Sequence, residues 1–282
     1  DGGPYLSSIK AIESELISGV MFPDEFETYI NSLHGDDEVD LIEWNDYLNE
    51  DDYVYDWKIE EKSKIAVIYA VGGIVSGKSN PGPGGSTLMG QETIMEAIKE
   101  AREDDNIKAI VLRIDSGGGS ALASDMMWKE VFNTTENDTA NIKPFIVSMS
   151  DVAASGGYYI ACQADKIVAD EATITGSIGV IWARINFTEL MSRIGINTDK
   201  ILRGENADFA SSSHFLTDKE REKLQDNIID IYNIFKQRVV DGRDNINDID
   251  ELDNIALGRV WSGKKAKELG LVDVNGDLYD AI

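Results

Sequence analysis

From Lys64 onward, continuous apolar runs of strand length alternate with stretches of helical periodicity, and this alternation restricts the fold more than any other feature of the chain. Strands are predicted over 65–71, 109–115, 145–149, 166–169 and 198–202. Several of these runs lack in–out alternation, which is the pattern of strands covered on both faces. Helices are predicted over 93–102, 121–132 and 156–163. The longest helix starts at Thr217, where Thr217-x-x-Glu220 forms a capping box, and Leu224, Ile228, Ile231 and Phe235 mark its apolar face. Strands alternating with helices imply an α/β domain built on a largely parallel sheet.

Residues 1–60 differ in character. They carry the acidic clusters Asp36-Asp37-Glu38 and Glu50-Asp51-Asp52 and lack long β-branched runs. Ile9, Ile12, Leu16 and Ile17 predict one short amphipathic helix, and 24–33 a second. The segment reads as an acidic helical connector, which leaves 61–282 as the α/β domain. The opening Asp1-Gly2-Gly3-Pro4-Tyr5-Leu6 loosely echoes the closing stretch from Gly270 to Tyr279, as the tail of an upstream copy of the same domain would.

Charge and composition exclude several function classes. With 52 acidic and 26 basic residues the formal net charge is −26, which disfavours nucleic acid and anionic lipid as partners. The single cysteine, Cys162, allows no internal disulfide, and its apolar neighbours predict a buried thiol. Only His34 and His214 are available as imidazoles, so no metal and no cofactor are expected. No apolar stretch reaches bilayer-spanning length, and the chain opens on Asp, so any targeting segment is expected upstream.

Four motifs bear on chemistry. Gly72-Gly73-Ile74-Val75-Ser76-Gly77-Lys78-Ser79 fits G-x-x-x-x-G-K-S, but Asn80-Pro81-Gly82-Pro83 follows where a phosphate-cradling helix would have to begin. It is expected to be a loop. Asp115-Ser116-Gly117-Gly118-Gly119-Ser120 joins a strand to a helix; its amides fit an oxyanion hole, and equally a tight turn capped by Ser120. In Asp151-Val152-Ala153-Ala154-Ser155-Gly156-Gly157, Ser155 stands at a helix start with the Gly156 amide beside it. It fits a nucleophile, and equally an ordinary serine N-cap. Thr175-Gly176-Ser177-Ile178-Gly179 offers a hydroxyl to orient a base, or only a turn.

The order of these motifs resembles the Clp protease/crotonase fold, and in detail the signal peptide peptidase A (protease IV) family. The resemblance spans about residues 64 to 282. It includes Ala-Ser-Gly-Gly-Tyr-Tyr, Thr-Gly-Ser-Ile-Gly, the stretch from Gly258 to Ala266 and Leu269-Gly270-Leu271-Val272-Asp273. It implies an α/β spiral of strand–helix units with Ser155 as the nucleophile of a serine–lysine dyad. Gly118 and Gly156 would supply the oxyanion amides, and Ser177 would hold the lysine. Gly117 stands where the family usually has proline. At the family's lysine position this chain has Ala207, as the second halves of long, duplicated members do, so the base is expected from an upstream half of the same protein.

The resemblance further implies hydrolysis of remnant signal peptides, apolar fragments that suit a hydrophobic groove. It implies a tetramer-like homo-oligomer at the outer face of the bacterial cytoplasmic membrane, anchored through a segment absent from this chain. Two rivals stand beside it: a non-catalytic scaffold or binding domain lacking its base, and an acyl-CoA enzyme on the same fold. Within the chain, His214, Lys200 and Lys219 are the weighed substitutes for the base, none of them placed for it by the sequence.

Overall fold

The computed structural model describes residues 12–21, 23–34, 63–137, 141–203, 207–209, 211–212 and 214–282. The chain divides into two units, Asp1–Glu60 and Glu61–Ile282. In the first, α1 (Pro23–His34) forms where a helix is predicted. Of the helix expected through Ile9, Ile12, Leu16 and Ile17, the described residues include helical Ile12 and Glu13, followed by a turn in which the Glu15 N–H donates to the Ile12 oxygen at 2.9 Å. Ile9, the two acidic clusters and the opening Gly-Gly-Pro lie outside the described residues.

The second unit is the predicted α/β domain. Its elements begin with β1 (Lys64–Val71), β2 (Gly73–Val75), β3 (Asn80–Pro81), β4 (Thr87–Gly90), α2 (Gln91–Glu103), β5 (Ile107–Ser116) and α3 (Ala121–Phe132). They continue with β6 (Phe145–Ala154), α4 (Gly156–Ala161), β7 (Lys166–Ala169), β8 (Ile174–Gly176), α5 (Thr188–Arg193) and α6 (Asp218–Gly242). The chain closes with α7 (Ile249–Asp253), β9 (Val260–Ser262), α8 (Gly263–Glu268), β10 (Val274–Asn275) and α9 (Leu278–Ala281).

The main sheet runs β1-β5-β6-β7-β10, with parallel pairing throughout that path. Ile110, Leu112, Ile114, Phe145 and Val147 are fully buried on one face, while Val111 and Val168 pack with Ala281 on the other. Both faces are covered, which explains the unbroken apolar runs.

β6 is longer than its apolar run and changes partners midway. Its first half pairs with β7, from Ile146↔Lys166 to Met149↔Ala169. Its second half pairs with β8, from Val152↔Ile174 to Ala154↔Gly176. Ser150 and Asp151 mark the change, and their polarity hid the continuation. Ser116 pairs with Ala153 after a register shift, so the loop following β5 arrives beside the residue following β6.

The strand predicted over 198–202 does not form. Ile201 is 98% exposed and among the described residues no strand pairs with this stretch, so a local β pattern finds no sheet edge there. The G-x-x-x-x-G-K-S stretch, expected to be a loop, is only partly one: Gly73–Val75 form β2, which pairs with β4, and the loop is confined to Ser76–Ser79. The Glu92 N–H at the start of α2 donates to the Gly77 oxygen (3.1 Å), and the Gly77 N–H donates to Gln91 Oε1 (2.7 Å). The helix start nearest the motif is thus occupied by the loop itself, which leaves it no phosphate cradle.

Candidate active site

Ser155 stands at the corner between β6 and α4 with φ 53° and ψ −119°, a strained backbone for a residue bearing a Cβ. Two bonds impose it. The Ser155 N–H donates to the Gly176 oxygen on β8 (2.9 Å), and the Ser155 oxygen accepts the Tyr159 N–H (2.9 Å). The serine hydroxyl makes no capping bond to its helix. The N-cap alternative therefore fails for Ser155, whereas it holds for Ser120, whose Oγ accepts the Ala123 N–H at 3.3 Å.

The helix behind the serine is anchored on two sides. The Tyr158 hydroxyl donates to the Leu271 oxygen (2.9 Å) and the Tyr159 hydroxyl to Asp125 Oδ1 (2.7 Å). Arg238 Nε also donates to Asp125 Oδ1 at 3.2 Å, and the Tyr159 ring stacks on Phe235 at 4.5 Å. A short helix fixed by buried tyrosines holds its first residue in one geometry. Cys162 at its end is fully buried as predicted, and burial pushes its thiol up to about 12, which makes it an inert packing group.

The glycine-rich loop lies against the serine. A Cβ on Gly118 would fall 2.7 Å from the Gly156 nitrogen, and one on Gly156 would fall 2.5 Å from Ser124 Oγ. Gly118 has φ 99°, which only glycine adopts without strain. Its oxygen accepts the Ile74 N–H (3.0 Å), and the Ser120 N–H donates to the Ile74 oxygen (3.0 Å). The Gly118 N–H, expected as an oxyanion donor, is engaged: it donates to Ser116 Oγ (3.1 Å), whose own proton goes to the Gly72 oxygen (2.7 Å). A serine hydroxyl reaching the amide two residues on is a common local turn. The Gly119 N–H has no acceptor among the described residues. The Gly156 N–H, in the first turn of α4, has none within the helix.

Ser155 and Ser177 open onto one cavity of about 430 Å³, walled by Val180, Ile181, Ile228, Ile229, Tyr232 and Leu257. Ser177 also has positive φ (51°), and its N–H donates to the Arg259 oxygen at 2.7 Å. Thr175 is a brace: it is fully buried, and its hydroxyl donates to the Ala153 oxygen at 2.7 Å. The resemblance implies a hydrophobic groove but not which residues wall it: in the sequence Ile228 marks only the apolar face of α6, and Tyr232, one turn on, carries the same signal.

Among the described residues no lysine lines this cavity. Ala207 is exposed in a turn. Lys200 Nζ pairs with Asp208 Oδ2 at 2.5 Å, and the Lys219 side chain is exposed. His214 sits between two carboxylates, Nδ1 3.1 Å from Asp208 Oδ2 and Nε2 3.0 Å from Glu220 Oε1. Lys143 has a pKa lowered chiefly by desolvation, but its Nζ is bound to the Ala101 oxygen (2.9 Å) at the end of α2. It precedes β6, whereas Ser155 follows that ten-residue strand. At roughly 3.3 Å per residue the two ends lie on the order of 30 Å apart.

A strained serine at a strand-to-helix corner, with amides nearby and an apolar cavity in front, has the parts that serine-type acyl transfer requires. Residues 137–282 match the family model for peptidase family S49. The chain belongs to that family. It is 36% identical over 280 residues to the chloroplastic serine protease SPPA of Arabidopsis thaliana, covering 97% of this chain and 40% of that protein. Over 291 residues it is 33% identical to Protease 4 of Haemophilus influenzae, covering 99% of this chain and 45% of that protein. The chain thus spans less than half the length of these two relatives. A ClpP1 mutant from Listeria monocytogenes superposes with a TM-score of 0.47 at 14% identity, over 78% of this chain and 94% of that one.

Proposed function

We propose that this chain is the nucleophile-bearing part of a serine endopeptidase that cleaves apolar peptides, with Ser155 as the attacking residue. The observation that carries the reading is the strained Ser155 backbone, with a hydroxyl unused for capping and opening onto an apolar cavity. Ser155 Oγ attacks the scissile carbonyl carbon, and its proton passes to a base and then to the leaving amine. Water hydrolyses the resulting ester and restores the serine. The oxyanion is received by the Gly156 amide together with the glycine-rich loop. There, Gly118 donates once its amide leaves Ser116, or Gly119 donates as it stands.

The base is a lysine from outside this chain, carried by the upstream half of the same protein, and Ser177 orients it. The walls of the cavity suit remnant signal peptides, and the assembly is a homo-oligomer at the outer face of the bacterial cytoplasmic membrane. Among the described residues no helix is long and apolar enough to cross a membrane. The anchor is therefore assigned to a segment outside those residues.

One observation favours a second reading, a non-catalytic domain of the same family: no lysine borders the serine among the described residues. A fluorophosphonate probe applied to the complete protein separates the two. Labelling that maps to Ser155 and disappears in Ser155→Ala supports the peptidase. Failure to label, or labelling at Ser116, Ser120 or Ser177, favours the scaffold or a different nucleophile.

A further inference from the structure

Leu257 is a leucine in left-handed backbone, with φ 60°, on the wall of the cavity that holds Ser155 and Ser177. That conformation costs a Cβ-bearing residue about 1 kcal/mol. Its side chain is 62% exposed, so core packing does not compensate. The conformation is instead imposed from two directions. From α6, the Tyr232 hydroxyl accepts the Leu257 N–H at 3.1 Å. From the segment after Ser177, the Ile178 oxygen accepts the Gly258 N–H at 2.9 Å. Gly179 packs so closely that a Cβ on it would fall 2.9 Å from the Gly258 Cα.

A turn that needed only its backbone shape would be served better by glycine or asparagine at this position. Leucine adds an apolar side chain to the lining of the cavity onto which Ser155 opens. Strain that the surroundings over-determine beside a reactive group is the mark of a functional constraint.

We infer that Leu257, held by Tyr232, is a specificity-determining residue that limits the size of the apolar side chain accepted on the acyl side of the scissile bond. The inference rests on the reading of Ser155 as nucleophile. The remaining wall (Val180, Ile181, Ile228 and Ile229) offers no charged partner to a charged side chain. On this inference a leucine-sized aliphatic residue is accepted and a larger aromatic one is disfavoured.

The test uses the complete protein and peptidyl-aminomethylcoumarin substrates that differ only in the residue on the acyl side: alanine, leucine, phenylalanine or glutamate. Leu257→Gly, which relieves the strain and removes the side chain, should raise the phenylalanine-to-leucine ratio of kcat/KM about ten-fold. Tyr232→Phe keeps the ring and removes the acceptor, and should shift the ratio in the same direction. Neither variant should make glutamate a substrate. Ratios within two-fold of the parent in both variants, with turnover still dependent on Ser155, overturn the inference and leave the peptidase reading standing. Turnover that survives Ser155→Ala overturns both.

Discussion

Gly118 and Ser155 touch through backbone that leaves no room for a methyl group: a Cβ on Gly118 would lie 2.9 Å from the Ser155 Cβ and 3.1 Å from the Ala154 oxygen. The contact is a consequence of register. Pairing Ser116 with Ala153 brings two loops from separate strand–helix units to one point, and only glycine allows them to meet.

Gly118→Ala should therefore act on the site and the fold together. Its φ of 99° and the backbone atoms around it leave no relaxed position for a Cβ. We expect Ser155 labelling by a fluorophosphonate to slow on the order of a hundred-fold, in the range of losing an oxyanion donor. The melting temperature should fall as well. Gly117→Ala is the control, since a Cβ there meets nothing within 4 Å. Equal labelling rates in the two variants would remove the glycine loop from the site.

Ser155→Gly should stabilise the protein while abolishing its labelling. A residue held at φ 53° and ψ −119° stores on the order of 1 kcal/mol or more, which glycine does not incur. For a domain of this size 1 kcal/mol corresponds to roughly 2–4 °C in melting temperature. Calorimetry on Ser155→Gly and Ser155→Ala distinguishes strain from simple loss of the hydroxyl, because alanine keeps the Cβ and should gain nothing. A glycine variant that melts below the alanine variant would mean that the corner is not strained.

The capping box at the start of α6 gives a pH-dependent test. The Thr217 N–H and hydroxyl both donate to Glu220 Oε2 at 2.8 Å, and these bonds, with His214 nearby, hold the Glu220 carboxyl at about 2 instead of 4.5. A depressed carboxylate stabilises the fold above its unfolded pKa, and that stability is lost as pH falls toward the folded value. The difference in urea midpoint between the parent and Glu220→Ala should shrink as pH falls between about 4.5 and 2. A difference that does not change across that window would show that the carboxylate form contributes nothing.

How much of this could be read in advance depended on how local each signal was. β5, α3, α4, β7 and the capped start of α6 carry their patterns within their own residues, and the structure has them where the sequence places them. Ser155 stood out for the same reason, between a strand and the Gly156-Gly157 pair. The second half of β6 was hidden because Val152–Ala154 pair with β8 whereas Ile146–Met149 pair with β7, and pairing is not a local property. The stretch over 198–202 failed in the opposite way, with β-branched residues and no partner. Tyr232 and Leu257 lie about 75 and 100 residues beyond the serine, and only the tertiary fold brings them to it. The bond from Ser116 to the Gly118 amide was equally invisible, since the glycine pattern is the same whether that amide is free or taken.

A serine hydroxyl is a poor nucleophile at neutral pH unless a neighbour takes its proton. The lysines and histidine weighed within this chain are placed elsewhere. Lys200 is tied to Asp208, His214 stands between Asp208 and Glu220, and Lys143 is bound to the Ala101 oxygen at the end of α2. We expect residues 1–282 alone to show negligible peptidase activity on an apolar peptide, and activity to appear when the upstream part of the protein is co-expressed or fused. An alanine scan of the lysines in that part should find one whose loss is about as damaging as Ser155→Ala, because nucleophile and base act as a unit. That lysine should also set the acid limb of the pH–rate profile, since a protonated amine cannot accept the serine proton. His214→Ala should leave the limb in place. If the isolated chain hydrolyses the peptide robustly through Ser155, the base lies within it, and Ser177 and the cavity wall are where the search begins.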